Sequence, residues 1–337
     1  MKTIVCFGEV LLRLTAPGHE PLLRSPHLEA CFGGAETNTA ISLAYFGHRT
    51  RVVTTLPDNT IGDACVAELR RHGIDTAAIG RVPGRMGLYF LTNGAMLRPS
   101  RVLYDRAHSA FVGADPGGYD WPALLTGADW LHVSGITPAL GEAAAQALQA
   151  AIAEARRIVA SISFDCNIRP SLWRGREAQA VAAMQAIAKH AHLLLGNPHD
   201  IARMFGGDFS AMPAREAHAA SAAMAMAACH DVRHVAATHR IVHSAAHHTL
   251  TGFLADRDGT VCSRAFELEP IVERIGAGDA FAAGILHALC SDLPRQTGIA
   301  FATAAAALKH TLPGDFSTLG VEDVHHLLAS GGLDVQR

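Results

Sequence analysis

The sequence predicts an α/β fold: a mostly parallel central sheet with helices on both faces, plus a small β-sheet lid. Three observations carry this. Short apolar or β-branched runs alternate with alanine-rich stretches of helical length. Two segments interrupt the alternation with strand-like patterns and no helix between them. From Ala277 the chain turns helical almost to its end.

The elements follow in order. Strands are expected at 3–7, 51–55, 130–134, 161–165, 192–195 and 234–238, and helices at 36–46, 61–72, 141–157, 176–190 and 215–229. Residues 86–108, "MGLYFLTNGAMLRPSRVLYDRAH", are two alternating runs joined by turn-formers. Residues 240–268 read as further antiparallel strands, with "VCSRAFEL" as the last. Helices then fill 277–290, 295–310 and 321–328. No internal repeat or low-complexity linker divides the chain. The expectation is one domain over 1–337, with a lid formed by inserted segments at roughly 12–32 and 86–108.

Composition narrows the function classes. A chain of 337 residues, 49% hydrophobic and 18% charged, has the make-up of a globular protein with a sizeable core. Its formal charge of −3 gives no electrostatic reason to expect a nucleic acid or an anionic membrane as partner. Cys6, Cys31, Cys65, Cys166, Cys229, Cys262 and Cys290 are scattered, without a C-x-x-C, which fits reduced thiols better than a disulfide framework. Glu9 and Arg13 interrupt the first apolar stretch, so it reads as a strand and not a secretory signal. No apolar run approaches the ~20 residues of a membrane span. A cytoplasmic location is expected. Exposed lid strands invite edge pairing, so a homo-oligomer is expected as well.

Common nucleotide devices are missing. The lysines are Lys2, Lys189 and Lys309, none preceded by glycine, so there is no P-loop. No G-x-G-x-x-G follows the first strand, which disfavours a nicotinamide oxidoreductase. "RIGAGDAFAAG" offers another device. Gly276 and Gly278 let backbone N–H groups converge at a helix start near Ala277, forming an anion hole suited to a phosphoryl group in transfer. Asp279, in the first turn, is placed to accept a proton from an attacking hydroxyl. By itself such a turn is more often a helix cap. "CFGGAETNTA" has the same form, with Gly33, Gly34 and then Asn38, whose amide suits sugar hydroxyls; bare backbone at Gly34 lets a small ligand approach closely.

Together, "GGAETN" and "GAGDAF" resemble the two signatures of the ribokinase-like (pfkB) sugar kinases, in order and spacing, and the likeness covers essentially the whole chain. The resemblance implies a ribokinase-like three-layer sandwich and ATP-dependent phosphorylation of a primary hydroxyl. It implies Asp279 as base, the 276–278 turn as anion hole, Mg²⁺ accompanying the nucleotide and a candidate monovalent cation. Within the family, "VLYDRAHSA" and "FDCNIRPSLW" most resemble 2-keto-3-deoxygluconate kinases.

A physical argument runs beside the resemblance. Tyr104 and Arg106 are two apart on a lid strand and share a face. Asn167 and Arg169 lie just beyond the carboxyl end of a parallel strand that closes on Asp165, where open sheets bind ligands. Two arginines converging on one pocket suit a carboxylate, and a neutral sugar would leave that charge unpaired. Taken at random, arginines are more often surface or ion-paired residues. Tyr89, on the facing lid strand, is expected at the substrate.

The resemblance further carries Asn197 and Asp200 of "GNPHD" onto the family's N-x-x-E, which organises Mg²⁺ and phosphate through water. The familiar T-x-G-x-x-G is replaced by "ATHRIVHSAAHHTLTGF", leaving Thr238 and Arg240 as nucleotide-side candidates; Glu273 stands where the family usually has aspartate. "LKHTLPGDF" resembles the closing segment beside the nucleotide, with Gly314 and Asp315. His243, His247 and His248 have a spacing that zinc could use, but they lie on strand and turn without the glutamate of H-E-x-x-H, and chance proximity is favoured. Rival readings are a kinase of a neutral sugar such as fructose or of a related deoxy-keto acid, and a sugar sensor that transfers nothing. A sensor has no need of a base at Asp279.

Overall fold

In the computed structural model, which describes residues 1–330, the strands in chain order are β1 (Thr3–Phe7), β2 (Leu11–Thr15), β3 (Glu29–Gly33), β4 (Arg49–Pro57), β5 (Ile79–Val82), β6 (Gly87–Thr92), β7 (Arg101–Asp105), β8 (Trp130–Ser134), β9 (Ser161–Asp165), β10 (Leu193–Leu195), β11 (His234–Ser244), β12 (His247–Asp256), β13 (Gly259–Cys262) and β14 (Phe266–Leu268). The helices are α1 (Ala35–Tyr45), α2 (Thr60–Arg71), α3 (Trp121–Leu124), α4 (Glu142–Arg157), α5 (Glu177–Ala188), α6 (Pro198–Phe205), α7 (Ala214–Ala228), α8 (Ala277–Cys290), α9 (Arg295–Lys309) and α10 (Val321–Ser330).

The main sheet runs β13-β12-β11-β10-β9-β8-β1-β4-β5, with β14 also on β12. From β11 to β5 every pairing is parallel, whereas β12 pairs antiparallel with β11, β13 and β14. Side-chain alternation along β1 divides the core. Val5 and Phe7 join Leu148, Ile152 and Met184 from α4 and α5 on one face. Ile4 and Cys6 join Ile41, Phe281, Ile285 and Phe301 from α1, α8 and α9 on the other. The outcome is the expected three layers. Small residues set the helix spacing: a Cβ added to Gly284 of α8 would lie 2.5 Å from Ala302 Cα of α9.

A separate four-stranded sheet runs β3-β2-β6-β7, built from the segments expected to form a lid; only β2 and β6 are parallel. Some details differ from the sequence reading. "VCSRAFEL" is not one strand but β13 and β14, because Ser263 turns inward to exchange hydrogen bonds with Gly252. The strand at 234–238 continues to Ser244, held by β12. α6, too short to show a helical period, is fixed by its cap: Asn197 Oδ1 accepts from the His199 and Asp200 amides, and Asp200 Oδ2 accepts from the Asn197 amide. Among the described residues no helix is long and apolar enough to cross a membrane.

Candidate functional site

Chain order reverses at β1: the chain goes outward through β4 and β5, then returns to β8 on β1's other side. Ligands bind outside the carboxyl ends of strands at such a switch point. A cleft of about 460 Å³ lies there, bounded by loops after β1, β9 and β10, by β11 itself and by the first turns of α1 and α8.

The turn opening α8 is shaped by contacts behind it. Gly276 is left-handed, with φ 82°, and a Cβ on it would sit 2.0 Å from Asp315 O, so only glycine fits. Gly278 differs, since a Cβ there would meet nothing within 4 Å; it faces the open cleft. The N–H groups of Ala277, Gly278 and Asp279 have no intrahelical acceptor, which leaves converging donors at the positive end of the helix. Glu273 shapes the approach by accepting from the Arg274 amide at 2.8 Å and the Ile275 amide at 3.1 Å.

α1 begins beside this turn. Gly34 borders the cleft, but its lack of a side chain is demanded by the protein: a Cβ would be 2.4 Å from Glu9 O. Gly33 lies outside the lining, against Asp315, where a Cβ would be 1.8 Å from Oδ2. Gly34 is thus at the cleft where ligand approach is expected, while Gly33, a substrate-side candidate, is not in the lining. Asn38 does meet the other motif. Its Oδ1 accepts from the Gly34 amide at 3.2 Å, and its Nδ2 donates to Asp279 Oδ2 at 2.7 Å.

Several carboxyls in the cleft are held above their ordinary range. Burial pushes Asp279 up to about 6, against the opposing Asn38 hydrogen bond. Burial, and then repulsion from Asp279, raises Asp165 to about 8. Burial raises Glu36 to about 7, although the Ser134 hydroxyl donates to it at 2.5 Å. Asp200 is raised by burial too. Asn167 donates to Asp165 Oδ2 at 3.1 Å. Arg169 borders the cleft, makes no ion pair among the described residues, and pulls against the rises at Asp165 and Asp279.

The lid-side residues behave differently. Arg106 borders the cleft, but both its Nε (2.7 Å) and its Nη2 donate to Glu9 Oε2, and Ser109 donates to the other oxygen of Glu9 at 2.5 Å. The expectation of two unspent arginine charges is corrected here, because Arg106 is neutralised by a buried glutamate. Tyr89 and Tyr104 are direct cross-strand partners with ring centroids 5.8 Å apart. Both border the cleft, and the Tyr89 hydroxyl also donates to Asp315 Oδ2 at 2.6 Å.

On the nucleotide side, Thr238, Asn197 and Asp200 border the cleft, and Arg240 does not; β11 carries it past the rim. Asn197 and Asp200 are partly spent on the α6 cap. Asp315 touches the cleft with its carboxylate held by Arg13 at 2.8 Å and by Tyr89, and Gly314 lies behind it. These two brace the site from the rear. His248 is fully buried, away from His243 and His247, which group instead with Glu267 of β14. Sequence spacing could not show that glutamate, because it arrives from another strand.

Sequence reasoning missed Glu9, Glu36 and Arg274, all in the lining, and used Asp165 only as a strand end. The signal for the first was its place directly after β1, the strand at which the order reverses. Gly8 carries a related signal: a Cβ there would be 2.1 Å from Glu36 Oε2.

Comparisons with known proteins agree with this geometry. A family model described as pfkB family carbohydrate kinase matches residues 1–319. The chain is 29% identical over 334 residues to the 2-dehydro-3-deoxygalactonokinase of Haloferax volcanii, covering 99% of each. It is 31% identical over 208 residues to the 2-dehydro-3-deoxygluconokinase of Thermoproteus tenax, covering 61% of this chain and 62% of that one. Among solved structures, the 2-dehydro-3-deoxygluconokinase of Thermotoga maritima matches with a TM-score of 0.94 and 36% identity, over 98% of this chain and 100% of that chain.

Proposed function

The chain belongs to the pfkB family of carbohydrate kinases, and from that premise we propose that it phosphorylates the terminal hydroxyl of 2-keto-3-deoxygluconate with ATP and Mg²⁺. The product is 2-keto-3-deoxy-6-phosphogluconate. The observation that carries the reading is the meeting of Asn38 and Asp279 at the free N–H groups of α8.

Asp279 takes the hydroxyl proton as the sugar oxygen bonds to the terminal phosphorus of ATP and the bond to the bridging oxygen breaks. With its pKa near 6, Asp279 is largely ionised at neutral pH yet basic enough to receive that proton. Asn38 fixes the carboxylate's orientation. The amides of Ala277, Gly278 and Asp279 hold the equatorial phosphoryl oxygens. Magnesium, when bound, would offset the charge of the phosphates. The carboxylates of Asp165 and Asp200 border the cleft and suit such an ion through water. Arg169 reads the substrate carboxylate, and Tyr104 covers the sugar. A cytoplasmic homo-oligomer belongs to the same reading; the free thiols and the exposed β7 support it.

A second reading has its own observation. With Arg106 matched by Glu9, Arg169 is the one of the two expected arginines left for an acid, which favours a related deoxy-keto acid or a neutral ketose more than two free arginines would. An ADP-release assay across 2-keto-3-deoxygluconate, 2-keto-3-deoxygalactonate, fructose and ribose tests this. The gluconate-derived acid is expected to give the highest kcat/KM, and equal use of fructose would overturn the sugar-acid assignment.

A further inference from the structure

Lys309 ends α9 with its side chain fully buried, and no step above uses it. Its ammonium has no ion-pair partner within bonding distance among the described residues. It donates to two backbone carbonyls, Leu312 O at 3.1 Å and Gly314 O at 2.8 Å. A buried lysine held by carbonyls in place of a carboxylate is unusual, because neutral acceptors compensate lost hydration poorly. Carbonyl oxygens are, however, the ligands that replace the water shell of a desolvated monovalent cation.

The position gives this meaning. A Cβ on Gly276 would lie 3.2 Å from Lys309 Cε and 2.0 Å from Asp315 O, so the lysine and its loop form the rear wall of the turn that opens α8. Three acids act on it there, Glu273, Asp315 and Asp279, and one further cation, Arg13, which pairs with the first two. Lys309 and Arg13 thus face Glu273 and Asp315, with Asp279 as a third acid. Without the lysine, an excess negative charge would sit directly behind donors aimed at a phosphoryl group and close to Asp279.

We propose that Lys309 is a built-in monovalent cation, a positioning residue whose ammonium ties the 312–315 loop against Gly276 and keeps the α8 turn shaped and electropositive. It follows that the protein needs no dissolved monovalent ion for this purpose. The consequence for turnover rests on the kinase reading, and the cation cage itself does not.

The test compares wild type with Lys309→Ala and Lys309→Gln in KCl, NH₄Cl and choline chloride at equal ionic strength. Wild type is expected to melt at one temperature and turn over at one rate in all three salts. The variants are expected to melt lower in choline, and Lys309→Ala to recover in K⁺ or NH₄⁺, which fit the vacated cage. In choline the variants should lose about 10²-fold in kcat, the scale of a small misplacement remote from the chemistry, with sugar KM little changed and kcat regained in K⁺. Wild type stabilised by K⁺ over choline overturns the proposal. So do variants whose deficits are the same in every salt, including failure to fold in every salt. A wild type that phosphorylates no sugar or sugar acid removes the kinase reading, while the melting comparison still decides the role of Lys309.

Discussion

Asn38 and Asp279 are 241 positions apart, and the Asn38 side-chain amide donates to Asp279 Oδ2 over 2.7 Å. That contact joins the first turns of α1 and α8 and leaves Asp279 Oδ1 as the oxygen free to face a substrate. Asp279→Asn keeps the size and hydrogen-bonding capacity of the side chain and removes its basicity. Turnover should fall by about 10²–10⁴-fold, the usual contribution of a general base, while the melting temperature holds or rises because a half-buried charge is gone. Steady-state kinetics with a thermal melt checks both, and near-normal turnover would remove Asp279 from the role of base.

The pH dependence follows from the same contact. A base with a pKa near 6 is lost by protonation, so kcat/KM should fall as pH drops through about 6 and level off above it. The Asn38 hydrogen bond holds that pKa down, so Asn38→Ala should move the acidic limb to higher pH. A pH–rate profile of both proteins decides this. A limb that stays in place while only KM rises would confine Asn38 to sugar binding.

What the sequence showed and hid has a physical pattern. β1, β8, β9 and α8 match their predicted bounds because each is buried on one or both faces and its local pattern is clear. The site's two halves were legible for a similar reason: Gly276 and Asp279, like Gly34 and Asn38, are local in sequence. Contacts between distant segments were not. Nothing near Arg106 indicates that Glu9 would neutralise it, and Arg13 read only as an interruption of an apolar stretch. In the structure Arg13 is buried between Glu273 and Asp315, joining the small sheet to the α8 turn. Arg240 lies outside the cleft lining for the converse reason, since the length of β11 is poorly set by the local pattern.

The two candidate carboxylate readers should separate experimentally. Arg169→Ala is expected to raise KM for a sugar acid at a cost of about 1.5–3 kcal/mol, as for a charged hydrogen bond, with no comparable loss of stability because the residue is exposed. Arg106→Ala should chiefly lower the melting temperature, since it strands Glu9 as a buried, unpaired charge. Arg106→Ala combined with Glu9→Gln should recover much of that loss. Equal KM effects and unchanged melting in both single variants would restore Arg106 as a substrate contact.

Arg13→Met tests the buried network. Glu273 and Asp315 would each lose their guanidinium partner while staying out of water, and breaking such a pair costs about 3–5 kcal/mol. Denaturant unfolding should show that loss. Because Glu273 also orders the Arg274 and Ile275 amides, activity should fall even at temperatures where the variant is folded. A loss below about 1 kcal/mol, the range of solvated surface pairs, would mean that water reaches these charges.

Asp165 gives a prediction of opposite sign. Its folded pKa, near 8, lies above the ordinary carboxylate value, so the folded chain binds a proton that the unfolded chain releases. The stability this contributes is complete below about pH 4, the ordinary value for aspartate, and is lost as pH rises toward 8. Asp165→Asn is neutral in both states and escapes the loss, and its side-chain oxygen can still accept from Asn167. The ligand-free variant should therefore melt above wild type at pH 8, with the gap narrowing steadily toward pH 5. Asp279 and Glu36 also bind protons on folding in both proteins, so the comparison of the two melting curves reads Asp165 together with its repulsion from these neighbours. Coincident curves at pH 8 would show that its carboxylate is ionised and solvated in the folded chain.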